Sequence, residues 1–167
     1  MTGTLTSAVQ VASGATLRGT GRVDAIVAQT GSTVAPGLSP GLLSTGALSL
    51  HPGSRYFVEL QGPTAGAGYD QVRVAGSVEL NDAQLTLIVG PALSPFGQFM
   101  VIDNDGTDLV AGTFAGLPEG ATIVAGAENG REFTISYIGG DGNDVVLSAA
   151  GEVSYFCLLY TSDAADE

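Results

Sequence analysis

A short turn element recurs along this chain: a glycine, a small residue, a variable position and an apolar residue. It stands as Ser13-Gly14-Ala15-Thr16-Leu17, Thr30-Gly31-Ser32-Thr33-Val34 and Pro52-Gly53-Ser54-Arg55-Tyr56, with a weaker fourth copy at Ala75-Gly76-Ser77-Val78. The first three glycines are separated by 17 and then 22 positions. A unit this short cannot bury an apolar face by itself, so such repeats stack on one another and share a continuous core. Glycine fits the turn because it takes positive φ without steric cost. The same residue disfavours helix. Gly accounts for 25 of 167 residues, about twice its usual share, and each interior glycine costs a helix about 1 kcal/mol. No stretch of helical period begins at a plausible N-cap and runs far enough.

Between the glycines the chain alternates apolar and polar residues, the two-residue period of a half-buried strand. Strands are predicted at 8–11, 15–17, 23–27, 32–34, 47–50, 55–60, 71–74, 77–80 and 84–89. In the last of these Leu85, Leu87 and Val89 share one face, and Gln84, Thr86 and Ile88 the other. Breaks fall at 34–41, with two Pro-Gly steps, at 62–68 and at 90–95, all strong turn compositions. Beyond the third break, strands at 98–103, 113–114, 121–124, 132–137 and 144–148 are joined by longer acidic loops and read as antiparallel hairpins. The expected fold is all-β: a right-handed parallel β-helix, or β-solenoid, over residues 1–90, and a more antiparallel, hairpin-rich part over 91–150 that continues or caps it.

Residues 151–167 differ from the rest. The only cysteine, Cys157, lies there, and the string from Cys157 to Glu167 resembles the translation of a transposase sequencing adapter. The expectation is a non-native or disordered tail, with the natural reading frame interrupted near Phe156. Net charge is −12 over the whole chain and −9 over residues 1–156. All five basic residues are arginines, too few to form a stripe that neutralises phosphates, so nucleic acid is not an expected partner. No apolar run approaches the ~18 residues of a membrane-spanning helix, and Met1-Thr2-Gly3 does not open a signal peptide. A mean hydropathy of +0.30 speaks against disorder despite the acidity.

Several segments, in order, carry a family resemblance: Val11-Ala12-Ser13-Gly14-Ala15-Thr16-Leu17, the Pro-Gly turn at 35–41, Ala67-Gly68-Tyr69-Asp70-Gln71-Val72, Ile102-Asp103-Asn104-Asp105-Gly106, and the segments 112–120 and 135–147. The series resembles the repeat regions of bacterial autotransporter passengers and of surface proteins with autotransporter-associated β-strand repeats. It covers about residues 5–148. The resemblance implies a parallel β-helix stalk on the bacterial cell surface, outside the cell, and brings no shared catalytic residues with it.

The clearest chemical motif is Gly139-Gly140-Asp141-Gly142-Asn143-Asp144-Val145-Val146-Leu147, which fits the calcium-binding nonapeptide position by position. Asp141, Asn143 and Asp144 are therefore candidate calcium ligands, since hard oxygens suit that ion. A nonapeptide site draws ligands from two neighbouring copies, and this chain has one; the alternative is a glycine-rich hairpin between 132–137 and 144–148. Asp103-Asn104-Asp105-Gly106-Thr107-Asp108 looks like part of an EF-hand loop, but placing Gly106 at position 6 puts Val101 and Gly112 at the two ends, where ligands are needed. His51 precedes a Pro-Gly turn and has no nucleophile elbow to serve. The acids of the first part, Asp24, Glu59, Asp70, Glu79 and Asp82, are too scattered for a glycosidase or lyase pair. Tyr56, Phe57 and Tyr69 are candidates either for core packing or for stacking on a sugar.

The expected function is structural: a stalk or display segment of an exported surface protein, not an enzyme. Its main partners would be neighbouring coils of its own parent chain, with surface glycans as further candidates and no insertion into a membrane. The alternatives are a calcium-binding secreted repeat module and a carbohydrate-active β-helix enzyme.

Overall fold

A computed structural model of the chain describes residues 3–38, 40–126 and 130–149. The adapter-like string and the expectations for 151–167 lie outside the described residues. The described residues form strands and turns with no helix. The strands are β1 (Ala8–Val11), β2 (Thr16–Gly19), β3 (Gly21–Ala28), β4 (Thr33–Pro36), β5 (Leu42–Leu50), β6 (Arg55–Leu60), β7 (Gln71–Val74), β8 (Val78–Glu79), β9 (Gln84–Val89), β10 (Gly97–Asn104), β11 (Thr122–Ala125), β12 (Arg131–Gly139) and β13 (Asp144–Ala149).

The strands sort into two sheets. A short sheet runs β2-β4-β6-β9, and a long sheet runs β1-β3-β5-β7-β10-β13-β12-β11 with β8 also pairing β5. From β1 to β6, successive strands alternate between the sheets; β1 to β5 each pair in parallel with the strand two places on, and β6 pairs in parallel with β9. Both sheets keep the same step. Ala8 pairs with Ala25 and Thr16 with Thr33. Ala25 then pairs with Ala47 and Thr33 with Arg55, a longer step that is again equal in the two sheets. Leu42 pairs with Gln71 and Arg55 with Gln84, longer still and again equal. Val72 then pairs with Ile102.

The turns between the sheets follow the same steps. Ala15, Ser32 and Ser54 each donate a backbone N–H to the carbonyl three residues back. The turn glycines have φ of 76°, 78° and 74°, the positive value a type II turn requires at its third residue. Gly14 N–H donates to the Gly31 carbonyl, and Gly31 N–H to that of Gly53, so each turn is bonded to the next. The fourth turn is not the Gly76 element expected from the repeat. It is Leu80-Asn81-Asp82-Ala83, where Asn81 and Asp82 both take positive φ. These two residue types tolerate that conformation best after glycine.

β5 is longer than the predicted strand at 47–50 and runs back through Gly46 to Leu42. A Cβ at Gly46 would run into the Asp24 carbonyl on the neighbouring strand, so the glycine marks a close approach within the sheet. The C-terminal part is antiparallel, as expected: β10 pairs β13, β13 pairs β12, and β12 pairs β11. β10 joins the two patterns, parallel to β7 on one side and antiparallel to β13 on the other. The strand expected at 113–114 is absent; Phe114 makes only an isolated bridge to Leu117.

Inward positions build one core. Toward the start it is aliphatic, with Val23, Ile26, Val34, Leu43, Leu48 and Leu50 fully buried. Toward the end, where the loops lengthen, it becomes aromatic. Phe114 stacks on Tyr56 with ring centroids 6.0 Å apart and packs against Tyr137 at 6.3 Å. Phe99 meets Tyr69 edge-on at 5.4 Å and Phe133 at 6.2 Å. The buried Tyr56 hydroxyl donates to the Val101 carbonyl at 2.7 Å. Tyr137 Oη accepts from Phe114 N–H and donates to the Leu117 carbonyl, which fixes the loop that carries Phe114. Phe114 is apolar like a strand residue, but its burial comes from this plug and not from a ladder. Replacing Phe114 with Ala is expected to cost about 3–5 kcal/mol, read as a lower urea midpoint; a loss below about 1 kcal/mol would show that the plug is dispensable.

Candidate functional site

Three features could carry chemistry: the glycine-rich turn at 139–147, the buried carboxylate of Asp70, and an open groove on the short sheet.

The glycine-rich turn is the tip of the β12–β13 hairpin, with φ of 58° at Gly140 and 116° at Gly142. Asp141, Asn143 and Asp144 occupy different environments. Asp141 is exposed, whereas Asn143 and Asp144 are buried. The Asp144 carboxylate accepts the backbone N–H of Asn104 at 2.8 Å. Burial pushes its pKa up; the N–H groups of Asn104 and Asp141 pull it back, and the nearby charges of Asp141 and Asp103 add to the rise. Asn143 Nδ2 donates to the carbonyls of Gly106 and Asp108, at 2.8 and 3.1 Å. Asn104 Nδ2 also donates to the Asp108 carbonyl. The turn therefore latches the acidic loop, and the nonapeptide and the EF-hand-like segment, distant in sequence, meet as one structure. Asp103 of that loop bonds Arg73 at 3.0 Å. Among the described residues no three His, Cys, Asp or Glu side chains cluster closely enough to hold a metal. Asn143→Ala would strand the Gly106 carbonyl and is expected to cost about 1–3 kcal/mol. Thermal unfolding measures that cost, and an unchanged midpoint would contradict the latch.

Asp70 is the feature least visible in sequence. It follows β6 and the turn at 62–68, and only 2% of its surface is exposed. Oδ1 accepts the N–H of Gly41 at 2.7 Å and Oδ2 that of Glu59 at 2.9 Å. One carboxylate thus ties the Pro-Gly turn before β5 to the end of β6. Burial is the largest influence and pushes its pKa up to about 6; the two N–H donors and Arg18 oppose this, and the Glu59 charge adds to it. Both oxygens are engaged, so the geometry gives Asp70 a clamping task. The one signal in the sequence is the Tyr69-Asp70-Gln71 run directly before β7, an acid where the chain enters a buried strand.

The pH consequence follows in sign. An unfolded aspartate titrates near 3.9, below the folded value of about 6. Between these values the folded state holds the proton more tightly. Asp70 therefore lowers stability as pH rises from about 4 to about 6, and its effect levels off above that. Asp70→Asn is expected to flatten this part of a stability-against-pH curve measured by urea denaturation. It should also lower the plateau, because an amide offers one acceptor oxygen to two N–H donors. A slope unchanged in the variant would assign the pH dependence elsewhere.

The groove, of about 480 Å³, is lined by Arg55, Phe57, Gln84, Leu85, Thr86 and Ala115. The structure separates the three aromatic residues considered for sugar stacking. Tyr56 and Tyr69 are 0% and 6% exposed and serve the core. Phe57, one residue from Tyr56, points to the opposite face, is half-buried, and lines the groove. Among the described residues, the groove lining carries no carboxylate. His51 is half-buried in the third turn, where its carbonyl accepts from Ser54 N–H.

Compared with known proteins, the chain matches no family model and no curated protein.

Proposed function

We propose that the chain is a right-handed β-solenoid segment of an exported bacterial surface protein, where it acts as a stalk or display element and not as an enzyme. One observation carries this reading. The strand pairings of both sheets and the turns between them lengthen in step, each layer advancing by the same interval in all three places. Such agreement is what successive closed coils produce, and parallel connections of this kind are right-handed in nearly every protein. In this reading the hairpins β11 to β13 cover the last coil, and neighbouring coils of the parent chain are the principal partners.

The surface favours the same reading. A charge of −12 without lysine gives an acidic, soluble exterior with no basic stripe for nucleic acid. No helix among the described residues is long and apolar enough to cross a membrane. The ordered resemblance to autotransporter passengers supplies the cell-surface location and the display role. The test is topological. An epitope inserted after Leu109, whose side chain is 70% exposed in the acidic loop, should be labelled by antibody on intact cells of the bacterium that makes the protein. Labelling that requires permeabilised cells would overturn the surface assignment.

A further inference from the structure

The outer face of the short sheet presents an amphipathic patch that the display role does not use. Arg55 and Phe57 are alternate residues of β6, and Gln84 and Thr86 stand beside them on β9 in direct register. Paired strands lie about 4.8 Å apart, and alternate residues about 6.6 Å along a strand. The four side chains thus frame an area the size of one sugar ring. Phe57 keeps part of its ring exposed there although fully buried neighbours fill the core. An aromatic face of this kind packs against the apolar C–H face of a saccharide. Gln84 offers an amide donor and acceptor, and Thr86 a hydroxyl, for the polar ring edge.

Charge narrows the ligand class. Among the described residues, Arg55 is the only charged one lining the groove, in a chain of net charge −12. It has no ion pair among the described residues. A guanidinium is suited to a two-pronged grip on a carboxylate. Glu59, the next outward residue of β6 beyond Phe57, would repel an acid group at the opposite end. β6 is an inner strand, flanked by β4 and β9, so Arg55 and Phe57 stand on the face of the sheet and not on its backbone edge.

We propose that this groove binds an acidic saccharide, with one sugar ring stacked on Phe57, its carboxylate on Arg55, and its hydroxyls on Gln84 and Thr86. The inference does not depend on the surface-display reading, because it rests on the groove alone.

The experiment is an amide-shift titration of the full chain by heteronuclear NMR, with tri-galacturonate as the acidic probe and maltotriose as the neutral one. The acidic probe is expected to shift amides of 55–59 and 84–88, with a dissociation constant in the millimolar range or tighter, and maltotriose to bind about tenfold more weakly. The exposed Arg55→Gln change should weaken tri-galacturonate about tenfold and bring the two probes level. Phe57→Leu keeps apolar bulk without an aromatic face and should weaken both probes several-fold. No shifts with either probe, shifts confined to another face, equal affinity for the two probes, or an Arg55→Gln variant that binds like the parent chain would each overturn the proposal.

Discussion

The backbone ladder between successive strands and turns is the constraint on which the rest depends. Gly14, Gly31 and Gly53 adopt the same positive φ, and their turns are bonded one to the next. This bonding places β2 over β4 and β4 over β6, and with them the inward side chains Val34 and Tyr56. Once the turns align, alternation along each strand decides what faces the core. Tyr56 goes in and Phe57 comes out, so one turn glycine governs both the aromatic core and the groove. A shift of one residue at the turn would exchange the two roles.

Much of this is legible in the sequence because it is local. Strands at 8–11, 55–60, 71–74 and 84–89 have the bounds that alternation predicts. The turn glycines declare themselves through spacing, and the hairpin at Gly139 through composition. What escapes a reading of the sequence depends on contacts far along the chain. The predicted strand at 47–50 stops short of Gly46, whose place inside β5 is explained by the Asp24 carbonyl of the neighbouring strand. The fourth turn discards glycine for Asn81 and Asp82, so a search for the repeated motif lands instead on Gly76. Phe114 has a strand-like neighbourhood but works as a plug.

The candidate sites divide in the same way. The nonapeptide match groups Asp141, Asn143 and Asp144, but the hairpin leaves Asp141 exposed and turns Asn143 and Asp144 onto the loop at 104–108. Nothing in the motif announces that Asn143 reaches the carbonyls of Gly106 and Asp108, because that partner loop lies far back along the chain. By sequence Asp70 is one of several scattered acids. Its partners Gly41 and Glu59 lie in two separate earlier segments, and only folding makes it the acceptor for both. The groove needs the register of β6 against β9 before Arg55 and Gln84 can be seen as adjacent.

The lengthening step from one strand pairing to the next has a consequence for folding fidelity. Arrays built from identical repeats can misalign by a whole unit, since every neighbour offers the same partner. Here each pairing spans more chain than the one before it, from Ala8 with Ala25, to Ala25 with Ala47, to Leu42 with Gln71. A strand displaced by one unit would meet a connection of the wrong length and bring an aliphatic layer where an aromatic one fits. The growing span gives each strand its own neighbour on either side, and the paired strands carry their order without needing distinct recognition motifs.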